Sequence, residues 1–128
     1  MAIMADELTL ADSAFAGNRL LSTFGSEARA LIEPFGTMVE LKSGEMVLAR
    51  GEQVRSSLFP VGQTTVSMCV ELNDGRSVEV ASIGREGAIG GIVSCGQAPA
   101  FSRAVVLVDG PAFKVPMAAL EDAKRRSG

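Results

Sequence analysis

The residues best suited to chemistry lie between Gly84 and Ala104. Residues 84–96 read Gly-Arg-Glu-Gly-Ala-Ile-Gly-Gly-Ile-Val-Ser-Cys-Gly, and Ser102-Arg103-Ala104 follows a few residues later. Closely spaced glycines let backbone N–H groups approach an anion, and a helix start would add a favourable dipole. Arg103 offers a planar, permanently charged fork suited to phosphate or carboxylate. The segment is not a P-loop, because no Gly-Lys-Ser/Thr follows, nor a dinucleotide fingerprint, because the chain lacks βαβ alternation. By composition alone the simpler role prevails: glycines that permit tight turns, and an arginine that is either an exposed strand-end charge or a partner for Glu86.

Other candidates are fewer. The chain has two cysteines and no histidine. Zero histidine excludes a Ser-His-Asp triad, a Cys-His pair, histidine-ligated zinc or haem, and a histidine general base. Cys69 and Cys95 are too few for a disulfide scaffold or a four-thiolate metal site, and each reads as a small packing residue or free thiol. No metal and no catalytic residue is expected, and the chain does not read as an enzyme.

The elements that must position the segment are mostly short strands. Asn18 can cap a turn holding Leu20, Leu21 and Phe24, and Gly25 breaks it. Ser26 can cap a second helix with Ala28, Leu31 and Ile32 at helical spacing, ended by Pro34 and Gly36. From Thr37 the pattern changes to strands: Val39 to Leu41, Met46 to Ala49, and Leu58 to Val61. Val66, Met68, Val70 and Leu72 alternate with Ser67, Cys69 and Glu71, and Val78 and Val80 alternate with Ser77 and Glu79. Asn73-Asp74-Gly75 between these runs is the strongest hairpin signal in the chain. Ala104 to Val108 and Ala112 to Val115 follow, then a helix from Met117. Short strands at this spacing, with glycine turns, predict a mainly β fold, a sandwich, barrel or jelly roll, with short helices at its ends.

Composition agrees with one domain. The 128 residues are 47% hydrophobic and 21% charged, a globular balance large enough for one core. Residues 1–17 read as a flexible lead-in, a loosely ordered tail or a short helix of a larger assembly, and 18–128 as the folded domain. The net charge of −3 supplies no footprint for nucleic acid and no polybasic membrane patch. No apolar run reaches a transmembrane length, and the acidic N-terminus lacks the positive start of a secretory signal. A cytoplasmic, reducing setting is the default expectation.

The order of the pieces resembles a cyclic-nucleotide-binding sensor domain of the bacterial CRP/FNR regulator type. Leu41-Lys-Ser-Gly44-Glu45 and Gly51-Glu52 are similar to that family's two early glycine turns. Leu58-Phe-Pro-Val-Gly62 resembles the strand and turn that follow, Leu72-Asn-Asp-Gly75-Arg-Ser-Val-Glu-Val80 its central hairpin, and Ile83-Gly84-Arg-Glu-Gly87-Ala-Ile-Gly90 the approach to its phosphate-binding cassette. The resemblance spans residues 18–123. It implies a β-roll flanked by short helices, a candidate ligand cassette at Ile89, Gly90, Gly91, Ser102, Arg103 and Ala104, a small-molecule effector, and a homodimer in the full-length protein.

The chain departs from the family pattern at both ligand positions. Nucleotide-binding members carry a glutamate for the ribose hydroxyl directly after the Ile-Gly pair, and here Gly91 stands there. They carry Arg-Ser/Thr-Ala for the cyclic phosphate. If Ala104 matches that alanine, Ser102 stands in the arginine's place and Arg103 is displaced by one residue, which in extended chain turns a side chain to the opposite face. A charge-assisted bond of this kind contributes roughly 1.5–3 kcal/mol. No cofactor is therefore established, and cyclic AMP is expected to bind weakly or not at all.

Full regulators of the family continue into a dimerisation helix and a helix-turn-helix, whereas this sequence stops at Gly128. The expected function is the ligand-sensing domain of such a regulator without its DNA reader, with a degenerate cyclic-nucleotide pocket. The alternative is a stand-alone β-roll for protein interaction or dimerisation. A cupin-type enzyme is weaker still, because cupins usually hold their metal with histidine.

Overall fold

The alternation of apolar and polar residues from Thr37 onward resolves into strands that close on each other as two antiparallel sheets. The computed structural model describes residues 11–48, 54–90 and 103–127. The strands are β1 (Thr37–Leu41), β2 (Met46–Leu48), β3 (Ser56–Pro60), β4 (Thr65–Glu71), β5 (Ser77–Ile83), β6 (Arg103–Val108) and β7 (Gly110–Pro116). One sheet has the order β1-β7-β3 and the other β2-β6-β4-β5. Consecutive β6 and β7 thus lie in different sheets, as do β1 and β2, so the chain winds around a shared interior. The mainly β roll with helical ends expected from the sequence is the observed fold.

The hairpin forms where Asp-Gly predicts it. β4 pairs with β5, Val70 opposite Val78, and Gly75 takes φ +89°, a left-handed value that glycine adopts without strain. Several strand bounds differ from expectation by one to three residues: β3 runs Ser56–Pro60, β5 extends to Ile83 and β7 begins at Gly110, while Ala49 lies outside the described residues.

Helices cover one sheet. Residues 11–17 are helical (α1), followed by α2 (Arg19–Ser22), α3 (Ser26–Ile32), a 3-10 turn (Glu33–Phe35) and, after β7, α4 (Met117–Ser127). Phe59, Val61, Phe113 and Val115 point from the three-stranded sheet to Ala14, Phe15, Leu21, Ile32, Ala119 and Ala123 of the helices. The other face of that sheet meets the four-stranded sheet through Leu41, Leu58, Val66, Ile89, Ala104, Val106 and Ala112. Period-2 alternation divides each strand between these two cores.

The N-terminal region decides one alternative and corrects one expectation. Within the expected lead-in, residues 11–17 form a helix whose Ala14 and Phe15 are buried; Arg29 of α3 lies 4.5 Å over the Phe15 ring and pairs with Asp12 and Glu33. Burial of an aromatic ring explains the order: its apolar area is worth about 2 kcal/mol or more when removed from water. Residues 1–10 lie outside the described residues. At α3 the N-cap is Gly25, with no side-chain cap bond, and Ser26 is the first helical residue. The Asn18 cap is formed as expected: its side chain accepts from the Leu21 N–H at 3.0 Å.

Candidate functional site

The glycine-rich segment is fastened by its backbone. Ile89 is buried and forms an antiparallel bridge with Leu58, donating to the Leu58 carbonyl at 2.8 Å and accepting from its N–H at 2.9 Å. Gly90 follows at φ +98°, and a Cβ there would stand 2.7 Å from the Ser56 carbonyl oxygen. The buried Ser57 hydroxyl donates to the Gly90 carbonyl at 2.7 Å. Further upstream, the Gly87 N–H donates to the Gly84 carbonyl, and the Gly84 N–H donates to the Glu86 carboxylate. These amides are engaged in turns and in the bridge to β3, and they tether this half of the segment. Gly91, Cys95, Gly96 and Ser102 lie outside the described residues.

One buried side chain ties this tether to the helices. The Asn18 Nδ2 donates to the Pro60 carbonyl at 2.8 Å and to the Gly87 carbonyl at 2.9 Å. The Arg19 N–H donates to the Arg85 carbonyl at 2.7 Å. Asn18 therefore caps α2, holds β3 and fixes the approach to the cassette together. Sequence reading found the cap and missed the two distant bonds, which join residues remote along the chain.

At the far end of the cassette, Arg103 and Ala104 open β6. Ala104 is fully buried in the core between the sheets. Its cross-strand partner in β4 is Met68, and that of Arg103 is Cys69, so Arg103 shares the outer face of the sheet with Cys69 and Ser67. The Arg103 Nη2 donates to the Ser77 hydroxyl at 2.6 Å, while its Nε is buried without a hydrogen-bond partner. The proposed Glu86 partnership is thereby corrected. Glu86 accepts from Gly84 instead, and backbone N–H bonds from Gly84 and from Glu86 itself hold its carboxyl below the usual range, with smaller help from Arg19 and Arg85 and opposition from desolvation.

The outer face continues as a polar row. Glu79 lies opposite Cys69 and accepts from Ser67 at 2.6 Å and Ser82 at 3.0 Å, which lowers its pKa. These bonds are internally satisfied and partly exposed, and they form no enclosed site.

A cleft of about 450 Å3 opens on the inner side of the roll. Val39, Leu41, Leu48 and Leu58 give it an apolar wall, and Arg55, Lys114, Glu40 and Glu45 bring charge to it. Both cassette ends stand beside this cleft: Gly90 packs on Ser56, one of the lining residues, and Ala104 pairs with Leu48, another. Residues about a dozen positions apart in sequence thus flank one cavity. Arg55 and Lys114 were not singled out by sequence reading. The available signal was Lys114 itself, a lysine inside the short apolar run of β7.

Comparison with solved structures decides what this arrangement is. The sensor domain of the transcriptional regulator DNR from Pseudomonas aeruginosa superposes with a TM-score of 0.75 at 11% identity, covering 94% of this chain and 79% of that one. The regulatory subunit of a cAMP-independent protein kinase A from Trypanosoma cruzi, bound to guanosine, gives 0.77 at 15% identity over 96% and 44%. The regulatory domain of Toxoplasma gondii protein kinase A with cAMP gives 0.74 at 9% identity over 93% and 44%. The fold is the cyclic-nucleotide-binding β-roll. This chain spans under half the length of the two kinase regulatory chains. No family model and no curated protein matches the sequence.

The candidate cassette residues that the structure describes flank the segment 91–102 within this β-roll. Ile89 and Gly90 occupy the approach to it, and Ala104 its return into the core. Arg103 lies on the outer face of the four-stranded sheet, bonded to Ser77. No described helix is long and apolar enough to cross a membrane.

Proposed function

We propose that this chain is the ligand-sensing domain of a CRP/FNR-type transcription regulator, non-enzymatic and cytoplasmic, acting through a small-molecule effector. The observation that carries the reading is the position of the cleft: its lining residues Ser56 and Leu48 are the immediate neighbours of Gly90 and Ala104, in a fold shared with a transcriptional regulator's sensor domain. A ligand there would press on Ser56 and Leu48, and through them on Gly90 and the start of β6, and Asn18 links the tether to the helices. Binding would then be felt at the surface that α1 to α4 present. The proposal includes a homodimer in the full-length protein, with neither nucleic acid nor membrane bound through this domain.

The same reading holds that the site is degenerate toward cyclic nucleotides. Gly91 lacks the carboxylate for a ribose, and Arg103 is turned to the outer face beside Ser77. Calorimetric titration with cyclic AMP and cyclic GMP tests this part, and low-micromolar binding to either overturns it. A thermal-shift screen with nucleotides and small acids tests the sensing role, since a ligand that binds the native state raises its stability. Reproducible stabilisation by a compound that perturbs Leu41 and Leu58 in NMR spectra supports sensing. A screen that moves neither stability nor these residues favours the stand-alone interaction module.

A further inference from the structure

We propose that the cleft takes a small organic acid with an apolar body, its carboxylate held by Lys114 and Arg55. The inference rests on the sensing reading and deepens it by naming the ligand class. Volume comes first. About 450 Å3 lies within the range of roughly 300–1,000 Å3 typical of small-molecule sites. The wall comes second. Leu41 and Leu58 are buried core residues whose inner surfaces line the cleft beside Val39 and Leu48. Such a wall accepts aliphatic or aromatic carbon.

The cations come third. In β7, Ala112 belongs to the core between the sheets, and Lys114, two residues on, lies on the same face. Its neighbours across the sheet are Leu58 on β3 and Thr37 on β1. A lysine therefore occupies the cleft-facing side of β7 at a position exposed to solvent, and its alkyl stem can lie on Leu58 while the ammonium stays wet. Arg55 stands at the entry to β3 on the same cleft. Among the described residues neither side chain has an ion pair or hydrogen bond, in contrast to Arg29, Arg76, Arg103, Arg125 and Arg126. Glu40 and Glu45 line the same cleft, so its charge is balanced and a polyanion is disfavoured. A monoanion beside the two cations fits this balance.

The test uses octanoate as probe and 1-octanol as its neutral counterpart, titrated into the intact chain and followed by methyl NMR and calorimetry. Octanoate is expected to shift the Leu41 and Leu58 methyls saturably and to bind at least tenfold tighter than 1-octanol. Lys114→Gln is expected to remove most of that preference, Lys114→Arg to retain it, and Arg55→Gln to weaken octanoate severalfold. Both positions are exposed, so the variants are expected to fold, and unchanged thermal unfolding without ligand checks this. Equal binding of acid and alcohol, shifts confined to other surfaces, or indifference to Lys114→Gln overturns the proposal. If octanoate fails while another compound perturbs the cleft methyls, the acid assignment falls and the sensing reading stands. If no compound in the screen perturbs them, both fall.

Discussion

Arg103 and Ala104 are neighbours in β6 and face opposite sides of the four-stranded sheet. Ala104 is sealed between the sheets, while Arg103 reaches across the outer face to Ser77 at 2.6 Å. In this register the guanidinium and the roll's interior lie on opposite sides of the sheet, and a one-residue shift that turned Arg103 inward would move Ala104 and Val106 out of the core.

It follows that Arg103→Ala leaves cyclic-nucleotide binding unchanged. Calorimetry with cyclic AMP is expected to give the same weak or absent heat for the variant and the parent chain. Low-micromolar affinity in the parent that Arg103→Ala abolishes would show that the side chain reaches the interior after all.

Asn18→Ala should be among the most damaging polar substitutions in the chain. It deletes the cap bond to Leu21 and leaves the Pro60 and Gly87 carbonyls without their donor. A lost cap costs about 1 kcal/mol and buried unmet groups about 1–3 kcal/mol each, so a total of about 3–7 kcal/mol is expected from urea unfolding. Asn18→Asp keeps the cap acceptor and removes the donor, and is expected to recover only a part of the loss. Full recovery by Asp would show that the long-range bonds carry little.

Gly90→Ala combines a left-handed backbone with a Cβ 2.7 Å from the Ser56 carbonyl. That oxygen belongs to β3 and cannot swing aside as a side chain would. A destabilisation of about 1–3 kcal/mol is expected, accompanied by shifts at Leu58 and Ser57 in amide NMR spectra. Gly75→Ala, also left-handed but with open space around it, is expected to cost less. Equal costs at the two positions would show that φ alone matters and that the close approach does not.

Glu86 gives a pH dependence with a definite sign. Its folded pKa is lowered, chiefly by the Gly84 N–H, so its contribution is fully present above the ordinary glutamate range near about 4.3 and is lost as pH falls through the folded value. The stability gap between the parent and Glu86→Gln is expected to be open at neutral pH and to close on acidification. A gap that stays constant down to the acid limb contradicts the assignment. Glu79, lowered by Ser67 and Ser82, should behave in the same direction.

Much of the fold was legible because its signals are local. Asn73-Asp74-Gly75 forces a turn wherever it is placed, and the alternation on either side forces two faces. The order of glycine turns that resembles a cyclic-nucleotide-binding domain belongs to the sequence for the same reason: each turn needs its own φ. Asn18 as a cap is equally local.

What the sequence could not decide is which face and which neighbour. Arg103 and Ala104 differ by one residue, and only pairing with Cys69 and Met68 settles that the arginine points outward. Phe15 looked like part of a lead-in until Arg29 and Phe113 were placed against it, the Phe113 ring 5.6 Å away edge-on. The link from Asn18 to Gly87 and the cleft shared by Leu48, Leu58 and Lys114 exist only because strands from separate parts of the chain lie side by side. Backbone conformation is a property of residue types and was written locally. The direction of a cation and the lining of a cavity are properties of strand register, which burial of one apolar face fixes only when the whole roll closes.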